Sequence, residues 1–331
     1  MKRCQSCSSP IVVYSQNVSC DIHSEKLKDM PGMGEEYSFS NRIKQVVKSI
    51  VHNRPDVVAL NEVRYKEFVN ELIALLEEQG YMAQSFANND GHMSFNNILA
   101  ISETSEWEVM HWKHKWVAVD QLEQPYLEDK HCVIEGDPHG RGAGIAYLKH
   151  KTTNLQVCVL VSHVIPFGKV KTQQQNALLS LSQKNMQSQP PIPTMIVGDL
   201  NRFYDEKEQF SEQLLEYHML EAVPQQFIIP TETEEIRLKG EDIGTFSPWP
   251  TDMKMYDKLL KEPISKSPLD VHVYTNDPSL IRNESVITYA SMLKSPNRDP
   301  PPDGRNPVRH MLDRRMASDH IAIIGRYSMF G

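Results

Sequence analysis

The stretch PTMIVGDLNRFYD, residues 193–205, is an apolar run that stops at two polar residues, Asp199 and Asn201. A short apolar run bounded by turn-forming residues is typical of a buried β-strand. Asp and Asn side chains bond to nearby backbone and tolerate tight geometry, so the pair also fits an ordinary turn. Whether Asp199 and Asn201 also belong to a functional site has to be judged from the other strand ends of the chain.

Several other apolar runs begin or end with a carboxylate, an amide or a histidine. Each has an ordinary explanation when taken alone, such as a turn acid, a first-turn helix acid or a core histidine. Because the habit recurs along the whole chain, it favours one shared site. The residues in question are Asn17, Glu62, His163, Asp270, Asp319 and His320, in addition to Asp199 and Asn201.

The order of predicted elements indicates an α/β fold. Apolar residues at helical spacing over SNRIKQVVKSIVHN predict a helix that ends before Pro55. Strands and helices alternate early, with many strands between later helices, which favours extended sheets. Further helices are predicted over EFVNELIALLEEQG, KTQQQNALLSLSQKNM and KEQFSEQLLEYHML, and strands over 11–17, 56–63, 96–102, 116–121, 142–149, 155–164, 193–199, 269–275, 285–290 and 319–327.

Composition limits the class of protein. The 331 residues are 40% apolar and 24% charged, as in an ordinary globular chain with an ample core. The 35 basic residues are outnumbered by 43 acidic residues, giving a net charge of -8. Such a chain does not bind nucleic acid by bulk electrostatics, so an anionic substrate has to be met by a local basic patch or by a metal.

The sequence predicts neither a membrane span nor a signal peptide. No apolar run is long enough to span a membrane, and IVVY near the N-terminus is too short for a signal-peptide core. Five cysteines, an odd and sparse set, fit a reducing compartment. We therefore predict an intracellular, cytoplasmic protein, with residues 1–10 as a disordered tail.

Taken in order, the polar strand ends resemble the motifs of the endonuclease/exonuclease/phosphatase superfamily. GDxN or SDH alone is a weak signal, whereas the ordered set is specific. The resemblance implies a four-layer α/β/β/α sandwich of two mixed, mainly antiparallel sheets flanked by helices, with residues 11–331 as a single domain. The matching pieces are YSQNVS, RPDVVALNEV, VSHV, VGDLN, SPLDVHVY and ASDH, spread over residues 11–327.

The resemblance also implies a metal-dependent phosphoric ester hydrolase that uses Mg²⁺, with Mn²⁺ as an alternative. Asn17, Glu62 and Asp319 would be the metal ligands, and their hard oxygen atoms suit such cations. Some nucleases of the family carry an Asp where this chain has Ser19, which leaves Asp21 as a candidate replacement. The usual Gln before the metal-binding glutamate is also replaced, by a shorter asparagine.

Five further residues would carry the chemistry by resemblance. Asp199 would orient or deprotonate the attacking water, and Asn201 would hold the phosphate or Asp199. Asp270 would fix one tautomer of His320 and favour its charged form. His320 would contact the phosphate or act as a general acid or base, and His163 would donate to the phosphate or the leaving group.

Substrate identity stays open in the sequence. Nucleic acid or a nucleotide is favoured, the alternative is a lipid or an inositol phosphate, and a third hypothesis is an inactive binding module. The inositol-phosphatase motif WCDR is absent, and the arginine of GDLNRF lies one position early for that subfamily. Candidate substrate-binding residues are Lys169, Lys171, Arg202, Arg314 and Arg315.

The segment EWEVMHWKHKWV, residues 106–117, interleaves three tryptophans with two lysines. Such a segment can stack bases of a single strand or lie at a lipid headgroup surface. It can equally be an edge strand whose aromatic side chains pack inward and whose lysines deter further pairing. The sequence does not indicate an oligomeric state.

Overall fold

The structure of the chain is a computed structural model. It describes residues 8–19, 34–88, 95–120, 124–132, 134–135, 137, 140–166, 168–239, 245, 258, 261, 269–302, 304–312 and 315–330.

Within these ranges the chain forms fifteen strands, five α-helices and two short 3-10 helices. The 3-10 helices cover Glu35–Tyr37 and Tyr204–Glu206. The strands are β1 (Ser9–Asn17), β2 (Val57–Val63), β3 (Tyr81–Ala87), β4 (Asn96–Ser102), β5 (Trp107–Val119), β6 (Pro125–Glu128), β7 (Gly142–His150), β8 (Gln156–Ser162), β9 (Thr194–Asp199), β10 (Met219–Glu221), β11 (Gln226–Pro230), β12 (Glu235–Lys239), β13 (Asp270–Thr275), β14 (Ile281–Tyr289) and β15 (Ala322–Met329). The helices are α1 (Phe39–Asn53), α2 (Lys66–Glu77), α3 (Gly168–Met186), α4 (Lys207–Glu216) and α5 (Pro307–Leu312).

The strands form two mixed sheets in which antiparallel pairs predominate. An eight-stranded sheet has the order β12-β11-β14-β15-β1-β2-β4-β3, and a seven-stranded sheet has the order β10-β13-β9-β8-β7-β5-β6. In the first sheet β1 is parallel to β2 and antiparallel to β15, so strands from opposite ends of the sequence lie side by side. In the second sheet β8 and β9 are parallel, while β9 and β13 are antiparallel.

Alternation along the strands builds the layers. On β1, Ile11 and Val13 belong to a core cluster shared with β8 and β9 of the other sheet, whereas Tyr14 packs on the side of α1 and α2. The outer face of the seven-stranded sheet packs against α3 and α4. The result is helices, sheet, sheet, helices, which confirms the predicted sandwich.

Several element boundaries differ from the prediction. The helix predicted over KEQFSEQLLEYHML ends at Glu216, and Met219–Glu221 pair as β10, because the backbone turns through His218 at φ 53°. Strand β5 begins at Trp107, nine residues before its predicted start. Strands β3, β6, β10, β11 and β12 and helix α5 were not predicted.

The predicted N-terminal tail falls largely outside the described residues. Residues 1–7 of this tail are not among the described residues, whereas Ser9 and Pro10 form the start of β1. That residues 11–331 form one domain stays a prediction, although the pairing of β1 with β15 agrees with it.

Candidate active site

The polar strand ends predicted from the sequence converge at one end of the two sheets. Asn17 and Glu62 lie at the ends of the neighbouring parallel strands β1 and β2 of the eight-stranded sheet. From the seven-stranded sheet, Asp199 ends β9 directly across from Asp270, the first residue of β13. His163 follows β8, so residues of both sheets meet at the site.

Glu62, His163 and Asp199 form a first cluster, with one potential metal-ligand atom of each lying within 4.8 Å of the others. The Nε2 atom of His163 is 3.6 Å from Oε1 of Glu62 and 3.5 Å from Oδ2 of Asp199. Asn17 bridges the two carboxylates, since its Nδ2 donates to Glu62 at 2.9 Å and to Asp199 at 3.0 Å. Two carboxylates therefore present acceptor atoms to one point.

Asp199, Asp270 and His320 form a second cluster that shares Asp199 with the first. The Nδ1 atom of His320 is 2.6 Å from Oδ2 of Asp270. Both side chains are buried, and the His320 backbone carbonyl accepts a bond from Nε2 of Gln16 at 2.9 Å. The predicted carboxylate–histidine pair is thus present in the structure.

Three residues at the site have left-handed backbone conformations that residues other than glycine seldom adopt. Their φ angles are 64° at Glu62, 52° at Asn201 and 51° at Ser19. Strain of this kind costs on the order of 1–3 kcal/mol per residue and concentrates at functional sites. At Glu62 it accompanies a break in the pairing of β2 with β4.

Gly198 permits the close approach of β9 to its neighbours. Its φ angle is 123°, and a Cβ atom there would lie 2.6 Å from the carbonyl oxygen of Ser162 and 2.7 Å from Oδ1 of Asn61. The glycine of the GD dipeptide is therefore required by geometry, since only glycine fits this space and this backbone conformation.

A chain of buried amides supports the first cluster from behind. Oδ1 of Asn61 accepts from the Asp199 backbone N–H at 3.1 Å, and Nδ2 of Asn61 donates to Oδ1 of Asn97 at 2.7 Å. Asn97 donates in turn to Asn88 at 3.3 Å, and Asn88 donates to the carbonyl of His163 at 3.2 Å. The asparagine that replaces the family's glutamine thus holds the backbone of Asp199.

Arg42 joins the two chain ends that contribute to the site. Its buried guanidinium donates to the carbonyls of Val18 and Ser19, which follow Asn17, at 2.7 and 2.8 Å. It also donates to the carbonyl of Ala317, shortly before His320, at 3.0 Å. Sequence reasoning missed this residue because a single arginine on a helix carries no motif.

Burial and neighbouring charges shift the titration of the site. Burial, reinforced by the charge of Asp270, raises the pKa of Asp199 to about 7. Burial opposes the charged form of His320, but the charge and hydrogen bond of Asp270 outweigh it and raise the pKa of His320 well above its usual value. Burial, helped by the positive charge of Arg141, lowers the pKa of His163 well below its usual value.

Two of the predicted metal ligands, Asn17 and Asp319, do not contribute an oxygen atom to the first cluster. Oδ1 of Asn17 accepts the backbone N–H of Ser19 at 2.9 Å, so its amide presents nitrogen rather than oxygen to the carboxylates. Asp319 is buried beside His320 but belongs to neither cluster. The ligand roles of both residues stay predictions, and Asp21 lies outside the described residues.

Two hydrogen bonds hold Asn201 in place. Its backbone N–H donates to Oδ1 of Asp199 at 2.9 Å, and its Nδ2 donates to the carbonyl of Val164 at 2.7 Å. Of the two predicted alternatives, holding Asp199 has direct geometric support.

The predicted basic patch is largely engaged within the protein. Lys171 and Arg202 are buried, and they form ion pairs with Glu206 and Glu221 respectively. Lys169 is exposed at the start of α3, and Nε of Arg315 donates to the carbonyl of Ser295 at 2.6 Å. Arg314 lies outside the described residues, and the substrate-binding roles of all five residues stay predictions.

The tryptophans of the Trp/Lys segment pack into the protein. Trp107 and Trp116 are buried, and Trp112 is partly buried against the core, with its ring centroid 6.1 Å from that of Phe86. Of the lysines, Lys115 pairs with Asp129 at 2.6 Å. This arrangement agrees with the inward-packed strand and gives no support to a base-stacking or lipid-facing surface.

Two helix-flanked sheets with an acidic-histidine cluster where they meet form the fold and the kind of site that the ordered motifs predict. Residues 16–320 match the sequence profile of the Endonuclease/Exonuclease/phosphatase family. The chain belongs to this family, whose members are phosphoester hydrolases. The family predicted from the ordered motifs is thereby confirmed.

Solved structures share the fold at low sequence identity. A family protein from Bacteroides thetaiotaomicron is similar with a TM-score of 0.66 and 12% identity, the match covering 98% of this chain and 96% of that one. The catalytic domain of human nocturnin with bound sulfate has a TM-score of 0.59 and 15% identity, covering 97% and 94%. ANGEL2, a 2',3'-cyclic phosphatase in complex with adenosine-2',3'-vanadate, has a TM-score of 0.61 and 14% identity, covering 97% and 96%.

Among curated proteins, no sequence matches the chain. Within the described residues, no helix has the length and apolar character needed to cross a membrane.

Proposed function

We propose that the protein is a divalent-metal-dependent phosphodiesterase that acts on a nucleic acid or a nucleotide. The observation that carries the proposal is the convergence of Glu62, His163 and Asp199 within 4.8 Å, with the His320–Asp270 pair beside them. Hydrolysis of a phosphate ester needs a cation or cationic donors for the developing charge and an oriented water. The two clusters supply residues for both tasks.

The donor set fits Mg²⁺ or Mn²⁺. Glu62 and Asp199 offer carboxylate oxygens, and Nδ2 of Asn17 donates to both of them, which marks the point where positive charge is favoured. Glu62 would hold the metal together with Asn17 and Asp319, as predicted from the resemblance. A bound metal would neutralise charge on a phosphate oxygen and on the leaving group.

The protein's own side chains divide the remaining work. Asp199, whose pKa lies near 7, is suited to take a proton from an attacking water at neutral pH, while the Asn201 backbone holds its other oxygen. His320 is kept charged by Asp270 and would contact the phosphate. His163 is kept neutral by burial, so it would donate a hydrogen bond to the phosphate or the leaving group without adding charge.

A nucleic acid or nucleotide substrate is favoured over a lipid. The feature that could have indicated a lipid surface, the Trp/Lys segment, has its tryptophans packed into the protein. ANGEL2, which shares the fold, holds an adenosine-2',3'-vanadate, and this resemblance supports a nucleotide ester as the substrate.

The test is a hydrolysis panel run with Mg²⁺ and with EDTA. It covers RNA, DNA, a nucleotide cyclic diester, sphingomyelin, phosphoinositides and a chromogenic diester. Asp199→Asn and His320→Ala are expected to lose about 100- to 10,000-fold in kcat, the range for removing a group that transfers or stabilises a proton. The matched controls are Asp277→Asn, in an exposed turn, and His52→Ala, on the outer surface.

The outcomes separate the hypotheses. Lipid or phosphoinositide hydrolysis without nucleotide hydrolysis would replace the proposed substrate class. Equal activity with EDTA would refute the metal dependence. Absence of hydrolysis over the whole panel would favour the inactive binding module, and full activity of both site variants would refute the assignment of the site.

A further inference from the structure

Arg141 immediately precedes β7, the strand that pairs with β8, and His163 of the first cluster follows β8. The register of β7 with β8 pairs Ala143 with Ser162, so continuing it by two residues sets Arg141 beside the loop that follows His163. The next residue, Gly142, accepts a hydrogen bond from Oγ of Ser162 at 2.9 Å. This register therefore brings the backbone of Arg141 to the end of the sheet at which His163 lies.

One side of the Arg141 guanidinium is fixed by a buried carboxylate. Its Nε is 3.2 Å from Oδ2 of Asp137, and the side chain of Asp137 is 1% exposed. Nε2 of Gln174 donates to the same oxygen at 2.7 Å, and Oε1 of Gln174 accepts the Ile165 backbone N–H at 2.8 Å. This network ties the arginine to the His163 loop through Asp137, Gln174 and Ile165.

The other side of the guanidinium has unused hydrogen-bonding capacity. Nη1 is buried and has no hydrogen-bond partner among the described residues. Leaving a buried charged donor unsatisfied is costly, and native structures rarely do so without a ligand, water or catalytic role to explain it. An arginine fixed through Nε presents its Nη atoms in the planar geometry that suits a phosphate oxyanion.

Two of the five basic residues that the sequence suggested for this task form ion pairs within the protein. Lys171 and Arg202 are paired with Glu206 and Glu221. The electrostatic influence of Arg141 on His163 agrees with a position close to the first cluster. A chain with a net charge of -8 still needs local positive charge to hold an anionic substrate.

We propose that Arg141 is a phosphate-binding residue of the site, positioned by Asp137 and Gln174 to contact a non-bridging oxygen of the substrate. The inference rests on the proposed function, because it assigns a role within the same reaction. It predicts that Arg141 contributes to binding an oxyanion even when no ester is cleaved.

The experiment titrates inorganic phosphate into the Mg²⁺-loaded protein by calorimetry. Arg141→Gln is expected to raise the Kd for phosphate by about 10- to 100-fold, in keeping with the loss of a charge-assisted hydrogen bond. Arg141→Lys keeps the charge but lacks the planar fork, so we expect an intermediate loss. Arg237→Gln is the matched control, since Arg237 pairs with Glu235 on the exposed strand β12, and it should bind phosphate as the wild type does.

Thermal unfolding of each variant checks that the fold is intact, and Arg141→Lys serves if Arg141→Gln does not fold. Wild-type affinity in both Arg141 variants, or no binding of phosphate by the wild type, would overturn the inference. Wild-type protein that binds phosphate through Arg141 but hydrolyses no ester would refute the proposed function and leave the inference standing.

Discussion

His272 gives the stability of the protein a specific dependence on pH. This histidine lies between the two sheets, with Nε2 2.8 Å from Oγ of Ser15 and Nδ1 3.0 Å from the hydroxyl of Tyr327. It is 1% exposed, and burial lowers its pKa to about 3. The folded protein therefore keeps His272 neutral over a range of pH in which the unfolded chain takes up a proton.

The sign and size of the effect follow from the two pKa values. Above the unfolded value of about 6.5, both states hold a neutral ring and His272 adds no pH dependence. Below it, the free energy of unfolding falls by about 1.4 kcal/mol per pH unit, because only the unfolded state binds the proton. The loss reaches about 5 kcal/mol by the time the pH falls to the folded pKa of about 3, comparable with the total stability of many domains.

The assay is urea unfolding of the wild type and of His272→Gln between about pH 7.5 and 4.5. Other titrating groups are common to both proteins, so the difference between their unfolding free energies isolates His272. We expect the wild type to be more stable near neutral pH and its advantage to shrink below about pH 6.5 by the slope given above. Tyr327→Phe is the control: it removes one partner but leaves the ring buried, so the slope should persist. A difference that stays constant with pH would refute the argument that burial keeps His272 neutral.

Three further predictions concern the candidate site. Gly198→Ala should destabilise the protein by about 1–3 kcal/mol or more in urea unfolding, because the new Cβ meets two oxygens and the backbone is left-handed; wild-type stability would contradict the geometry. Asp270→Asn removes the charge that raises the pKa of His320, whereas burial, which lowers this pKa, remains. The basic limb of the pH–rate profile should therefore move to lower pH. An unchanged profile would show that His320 does not titrate in the reaction. Asn97→Ala leaves the buried Nδ2 of Asn61 without its acceptor and should cost about 1–3 kcal/mol in urea unfolding, whereas a neutral effect would show that water replaces the lost partner.

The positions of the polar strand ends could be predicted because each is marked locally. An apolar run that ends at Glu62 or Asp199 predicts both a buried strand and a polar side chain at the end of that strand. The family motifs then supplied what periodicity lacks, namely which strand ends meet. The short strands β10 to β12 were missed because three to five residues give too little alternation to separate a strand from a loop.

The contacts behind the site could not be predicted because they join residues far apart in sequence. Arg42 meets Ala317 across 275 positions, and the bond between the Asp199 backbone and Asn61 spans 138. Charge alone was also misleading: Lys171 and Arg202 carry the sign that an anionic substrate needs, but each is paired with a glutamate. Arg141 carried no motif, and its value depends on Asp137 and Gln174, which only the folded chain brings to it.

The candidate site lies on a seam between two separately hydrogen-bonded sheets. Asn17 and Glu62 belong to one sheet, Asp199 ends β9 and His163 follows β8 of the other, and the bond between Asn17 and Asp199 crosses from sheet to sheet. Side chains of the shared core set the distance between the two sheets. A substitution in that core therefore changes the distances between site residues that lie on different sheets. Core substitutions at a distance can therefore change the spacing of these side chains without altering a residue of the candidate site itself.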